Sequence, residues 1–319
     1  MKSRNFLKVF AITALIAILV MPASGFTASK KIMTFGTASM GGAYYPVGTG
    51  MATIINKYLP ELDVRVEVTG GGLENPRLVG DGKTQLGITN LFLGHLAIEG
   101  QKPFTKKYPI VALAYMYPST FHMVTTKKNS EIKSVEDIKG KRVAVGPAGG
   151  GTILLLKKLL TVYDFTVKDI KPSYISYKDG SMALQDGNVD AAFLLAGAPT
   201  GALKQLIVRT PIRFLDISQE RIDKFLKAFP YYVQVNIPKS FYNTDKDALS
   251  VGSGNCLIVN KNMSEELAYK ITAALYDHVD EFKKVHPSTS VVNLKDAPKA
   301  VIDLHPGAIR YYREKGVMK

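Results

Sequence analysis

The strongest constraint on this chain is a plan used twice: a short apolar run, a glycine turn, then a helix. Residues 32–37 read as a strand that passes through Gly41-Gly42 into a helix carrying Met51, Ile54, Ile55 and Leu59, stopped by Pro60. Residues 142–145 read as a strand that passes through Gly149-Gly150-Gly151 into a helix over 152–160. A second matched pair is Asp81-Gly82-Lys83-Thr84-Gln85-Leu86-Gly87-Ile88 and Asp186-Gly187-Asn188-Val189-Asp190-Ala191-Ala192-Phe193, starting 105 residues apart. Each reads as a helix end, a glycine turn and a short buried strand. Residues 64–68 and 86–89 add strands, and 73–79 a short helix. Parallel strands need crossover connections, so this alternation predicts an α/β fold with a mostly parallel sheet under helices, in two lobes of one design.

Residues 110–126, with Val111, Leu113, Tyr115, Met116, Tyr117, Phe121, Met123 and Val124, suit a strand passing between lobes near Pro118-Ser119. A second crossing is expected around 231–237, just before Pro238. Beyond it lie a strand at 257–259 and a helix over 264–285. Glu265 and Glu266 stand at the positive end of that helix, and Lys283 and Lys284 at its negative end. Leu267, Ile271, Leu275 and Phe282 form its apolar stripe. The expected division is lobe I over 31–122, lobe II over 123–235 and a return to lobe I over 236–319. A cleft between such lobes is a natural ligand site.

The leading segment bears on compartment. Lys2, Arg4 and Lys8 precede an apolar run over residues 9–21, and Ala23-Ser24-Gly25 supplies small residues for cleavage. Residues 1–25 therefore read as a cleavable signal peptide, with a periplasmic or extracytoplasmic destination. Without them the formal charge falls from +14 to +11. The lysines are spread over separate elements and form no phosphate-binding stripe, so no nucleic-acid partner is expected. The single cysteine, Cys256, permits no internal disulfide, and the 5 histidines contain no HExxH pair. No metal or other cofactor is expected. No heptad pattern demands association, so a monomer is expected.

The first candidate site is the turn Ser39-Met40-Gly41-Gly42-Ala43-Tyr44-Tyr45-Pro46. Unpaired N–H groups and the helix dipole there can hold an anion, while Ser39, Tyr44 and Tyr45 add hydroxyls. It matches neither a dinucleotide fingerprint nor a P-loop. The second is Gly149, Gly150, Gly151 and Thr152, where glycines bare the backbone. Asn75 after Gly70-Gly71-Gly72, Asn90 at a strand end, and Gly197 and Pro199 after residues 191–195 complete the set. Tight structural turns use the same residues, so each keeps that plainer reading. No G-x-S-x-G setting or local His/Asp arrangement supports catalysis.

These motifs, in their order and spacing, resemble the TAXI family of solute-binding receptors of tripartite ATP-independent periplasmic (TRAP) transporters. Thr69-Gly70-Gly71-Gly72-Leu73-Glu74-Asn75, Gly197-Ala198-Pro199 and His305-Pro306-Gly307-Ala308-Ile309-Arg310-Tyr311-Tyr312 share in the likeness. The resemblance implies a type II periplasmic-binding-protein fold: two α/β lobes, a two-crossing hinge and a cleft. It also implies a receptor, not an enzyme, that captures glutamate, a related amino acid or a small oxo- or dicarboxylic acid for membrane permease subunits. Its ligand contacts would fall on Ser39 to Tyr45, Asn75, Asn90, Gly149 to Thr152 and Gly197 to Pro199. Gly150 stands where the family commonly has serine, which removes a hydroxyl. A ferric-ion-binding protein of similar fold, an exported hydrolase and a signalling protein that binds only a protein partner are the alternatives. Amino-terminal sequencing of the exported protein should begin near Phe26; a sequence starting at Met1 would show that the leader is retained.

Overall fold

The computed structural model describes residues 29–319, so the expected signal peptide lies outside the described residues. The first half runs β1 (Lys31–Gly36), α1 (Tyr44–Tyr58), β2 (Leu62–Glu67), α2 (Asn75–Gly80), β3 (Leu86–Asn90) and α3 (Leu91–Glu99) into the long β4 (Ile110–Thr126). The second half runs β5 (Arg142–Ala144), α4 (Thr152–Leu160), β6 (Lys171–Ser173), α5 (Tyr177–Gln185), β7 (Ala191–Ala196), α6 (Gly201–Ile207), β8 (Ile212–Phe214), α7 (Gln219–Ala228) and β9 (Val233–Ile237). Then come β10 (Ala248–Asn260), α8 (Glu265–Tyr276), α9 (Val279–Lys284) and α10 (Pro306–Glu314). The repeated strand–glycine–helix plan is thus present in both halves, and the α/β class follows.

The strands form one sheet in the order β2-β1-β3-β10-β4-β7-β5-β6, with β8 on β4 and β9 on β10. Pairing is parallel at the two flanks, β2-β1-β3 and β7-β5-β6. It is antiparallel through the middle, where β10 pairs β3 and β4, and β4 pairs β7. The sheet is therefore mixed, not mostly parallel. Two strands that pass between halves must cross in opposite directions, and they pair as they do so.

β4 is one of those strands, as its apolar sequence suggested. The other is β10, which pairs β9 at Ala248 to Gly252 and β3 at Asn255 to Val259. The second crossing expected at 231–237 is thus made by β10 instead. Val233–Ile237 is a mostly exposed strand paired only with β10. The crossing was hidden because Gly252, Ser253, Gly254 and Asn255 interrupt the apolar run of β10. The glycines are needed there: a Cβ on Gly252 would come 2.4 Å from the Ser119 carbonyl oxygen, and one on Gly254 2.6 Å from the Tyr115 ring. The single helix expected over 264–285 is also two helices. The chain leaves helical geometry at His278, whose ring stacks on Tyr58.

Met33, Phe35, Val47, Met51, Leu257, Ile271, Tyr311 and Tyr312 pack one core on the first half. Val124, Leu194, Leu203, Phe214 and Tyr242 pack another on the second. A third, including Phe92, Phe121, Leu156, Phe193 and Phe225, runs through both. Buried at the junction, His122 on β4 makes a 2.9 Å hydrogen bond through Nε2 with the Tyr242 hydroxyl. That hydroxyl accepts the Thr200 N–H at 2.7 Å, holding the turn before α6. Burial lowers the His122 pKa to about 4, so the folded state keeps it neutral. The unfolded chain takes up a proton near its ordinary value of about 6.5, so this contribution is present above that pH and is lost as pH falls to about 4. The loss should reach about 3 kcal/mol, with His286 and His305, also lowered by burial, acting in the same sense. Urea titrations from pH 7 to pH 4 should show that decline, and His122→Gln should flatten it.

Candidate functional site

Three helices that begin on one shared cavity lack a side-chain cap: α1 after Ala43, α3 after Asn90 and α4 after Gly151. α2, α6 and α9 also begin without one, whereas α5, α7, α8 and α10 are capped by Ser176, Ser218, Ser264 and His305. An uncapped first turn leaves N–H groups and the positive helix end unanswered. The local sequence explains the difference: alanine and glycine carry no oxygen to turn back on the helix, and the Asn90 side chain is engaged elsewhere.

Those three entrances surround one narrow cavity with about 20 Å3 of room, little more than a single water needs. Ala38, Ser39, Gly42, Ala43, Tyr44, Gly70, Gly71, Gly72 and Asn90 line it from the first half. Pro147, Gly150, Gly151, Tyr177, Leu195 and Ala196 line it from the second. None of these side chains is charged. The lining offers backbone donors, hydroxyls and one amide and no cation, while the Glu74 carboxylate stands just behind it, accepting the Gly70 N–H at 2.5 Å.

The halves close over it through backbone. Leu73 N–H donates to the Gly149 carbonyl at 3.1 Å, and a Cβ on Gly149 would lie 3.1 Å from the Gly70 Cα. On another side the Gly41 carbonyl accepts from Thr200 Oγ1 at 2.6 Å and Ala202 N–H at 3.0 Å. Gly41 has φ +97°, and a Cβ there would meet the Lys178 backbone nitrogen at 2.9 Å. A Phe92–Tyr231 stack with centroids 4.2 Å apart adds an aromatic contact, with the Lys158 ammonium 5.0 Å from the Phe92 centroid.

Behind the cavity a buried polar network centres on Asn255. Its Oδ1 accepts from the Tyr44 hydroxyl at 2.5 Å and Asn90 Nδ2 at 2.8 Å, and Ser119 Oγ lies 3.1 Å away. Its Nδ2 donates to the Tyr117 carbonyl at 2.8 Å and to Ser119 Oγ at 3.0 Å. Asn255 falls where the β4–β10 register shifts between Gly254 and Cys256. Burial first, then neighbouring Tyr117, raises the Tyr44 pKa well above the ordinary phenol value, so the hydroxyl stays protonated. Across the cavity, the Tyr177 hydroxyl lies 2.6 Å from Thr152 Oγ1 and 3.1 Å from the Leu195 carbonyl.

Of the residues expected from sequence, Ser39, Gly42, Tyr44, Asn90, Gly150 and Gly151 are brought together on the cavity. Ser39 Oγ is buried without a hydrogen-bond partner. Tyr45 is half-buried and outside the lining, because adjacent helical positions point about 100° apart. Asn75 is fully buried and occupied with backbone: Nδ2 donates to the carbonyls of Gly36, Thr37 and Ile88, and Oδ1 accepts from Thr69 Oγ1. It clamps β1 to β3. Gly149 forms the closure contact, and Thr152 supports Tyr177. Gly197 packs on Ser288, and Pro199 follows a cis peptide bond ahead of Thr200. Asn255, Ser119 and Tyr177 were missed. Asn255 alone left a trace, as a polar residue inside a run that is otherwise strand-like.

A model of the NMT1-like family matches residues 35–316, and the chain belongs to that family. A putative aliphatic sulfonates-binding protein of Escherichia coli (strain K12) is 36% identical over 110 residues, 34% of each chain. The alignment thus spans about a third of that curated relative's length. Among solved structures, a putative L-cystine ABC transporter protein from Listeria monocytogenes aligns with TM-score 0.52 at 15% identity, covering 82% of this chain and 97% of that one. The alkanesulfonate-binding protein SsuA from Xanthomonas axonopodis pv. citri, bound to MOPS, aligns with TM-score 0.50 at 14% identity, covering 91% and 92%. At such identities the likeness is one of fold, and it is the periplasmic-binding-protein-like α/β fold with a curled mixed sheet. If closure needs the Gly70–Gly149 approach, Gly149→Val should weaken solute binding at least about tenfold, since the added methyls meet backbone, and leave the ligand-free melting temperature nearly unchanged. Calorimetry and thermal unfolding of the variant check this together.

Proposed function

We propose that this member of the NMT1-like family is an extracytoplasmic solute-binding receptor that encloses a small organic acid and presents it to a membrane transporter. The observation that carries the reading is the convergence of three uncapped helix entrances on one uncharged cavity between two halves. Each entrance favours an anion by roughly 0.3–1 kcal/mol, and by more when buried. Donors that are already in place cost little to organise when the acid arrives. A single acidic head held by backbone suits an amino acid such as glutamate, a small oxo or carboxylic acid, or a short sulfonate of the kind named for the Escherichia coli relative. The finer reading is a receptor of the TAXI type serving a TRAP permease, carried by the sequence resemblance.

Metal capture fits the cavity less well, because burial disfavours the tyrosinate at Tyr44 that a ferric ion would require. A hydrolase lacks its machinery at this place. Cys256 is buried with its thiol pKa pushed up, and His122 bonds Tyr242, outside the lining. The deciding experiment is mass spectrometry of whatever denaturation releases from gently purified protein, followed by thermal unfolding with that compound. A small acid should be released, and at a hundred times its Kd it should add about 2.7 kcal/mol of stability. Release of a metal ion, or no stabilisation by any acid, would defeat the proposal. Uptake in vesicles driven by an ion gradient without ATP would support the TRAP assignment, and ATP-dependent uptake would replace it with an ABC system.

A further inference from the structure

We infer that Asn255, just behind the cavity, sets the direction of the Tyr44 hydroxyl and so selects acids that carry a hydrogen-bond donor of their own. The inference rests on the receptor reading above and names a narrower class of solute. It begins from an amide whose orientation is forced. Asn255 Nδ2 stands 2.8 Å from the Tyr117 carbonyl oxygen, which can only accept, so the amide nitrogen must face β4. Its oxygen then faces the cavity side, where Asn90 Nδ2 donates to it at 2.8 Å.

The Tyr44 hydroxyl lies 2.5 Å from that same oxygen. An amide oxygen has no proton to give, so the Tyr44 proton goes to Asn255. Tyr177, in the opposite wall, is satisfied within the protein: its hydroxyl lies 3.1 Å from the Leu195 carbonyl and 2.6 Å from Thr152 Oγ1, and its oxygen accepts the Leu195 N–H at 3.3 Å. Tyr44 is therefore the phenol on the wall whose oxygen is left to accept from a solute.

The cavity is thus divided by polarity. Helix entrances supply N–H donors for an acidic head, and the Tyr44 oxygen calls for a donor from the solute. Ser39, whose buried hydroxyl is unpartnered, can serve either way. An amino or hydroxy acid satisfies both sets. An oxo acid or an unsubstituted acid leaves the desolvated Tyr44 oxygen facing nothing or facing another acceptor. Sites built around such pairings reject the analogue that lacks the donor far more strongly than apolar pockets reject a missing methylene.

Calorimetric titration of two matched series tests this. One is L-glutamate and 2-hydroxyglutarate against 2-oxoglutarate and glutarate; the other is taurine and isethionate against ethanesulfonate. In whichever series binds, the amino or hydroxy members should bind at least about tenfold more tightly than the members without a donor. An equal or inverted order overturns the inference and leaves the receptor reading standing; no binding in either series overturns both. Asn255→Leu frees the Tyr44 proton and should move the preference toward the oxo acid, whereas a merely structural Asn255 would weaken every member alike. Should that variant not fold, Tyr44→Phe removes the acceptor, and an undiminished gap between matched members would then count against the inference.

Discussion

The pairing of β4 with β10 is the interaction on which the rest of this molecule depends. These two strands run antiparallel through the middle of a single sheet, each contributing one end to each half. Their close approach is made possible by glycine at positions 252 and 254, where any side chain would strike Ser119 or Tyr115. Hydrogen bonds along the pair hold the halves in register while leaving the flanking parallel strands and their helices as separate packed units. These two strands are the links common to both halves.

The register shift in that pair also places the cavity's chemistry. At the irregularity between Gly254 and Cys256, Asn255 bonds backward to β4 through its nitrogen and forward to Tyr44 and Asn90 through its oxygen. The wall of the cavity is therefore tied directly to the crossing strands. The Tyr44 and Asn90 groups on the wall share one bonding partner with the crossing strands.

Closure is built from backbone because the cavity needs its walls close together. Gly70 against Gly149, and Gly41 against Thr200 and Ala202, bring main chain to main chain with no side chain between them. Contacts of this kind are short in reach and form only when the halves come fully together. They define a closed arrangement sharply and contribute little to any intermediate one.

Much of this was legible in the order of residues. The two strand–glycine–helix units, the α/β class, β4 and the glycine entrances at Gly42, Gly150 and Gly151 follow from periodicity and turn chemistry, which act over a few neighbouring positions. The second crossing was not legible, because a strand interrupted by Gly252-Ser253-Gly254-Asn255 has no local signature of its own. Asn75 and Asn90 look alike in sequence, each beside a glycine turn or strand end. Only the meeting of β1, β2 and β3 consumes every hydrogen bond of the first and leaves the second on the cavity. Tyr44 and Tyr45 were equally eligible until the seating of α1 turned one inward. Local chemistry determined where the chain could bare its backbone; the packing of segments more than a hundred residues apart decided which bared groups share a cavity and which way their protons point.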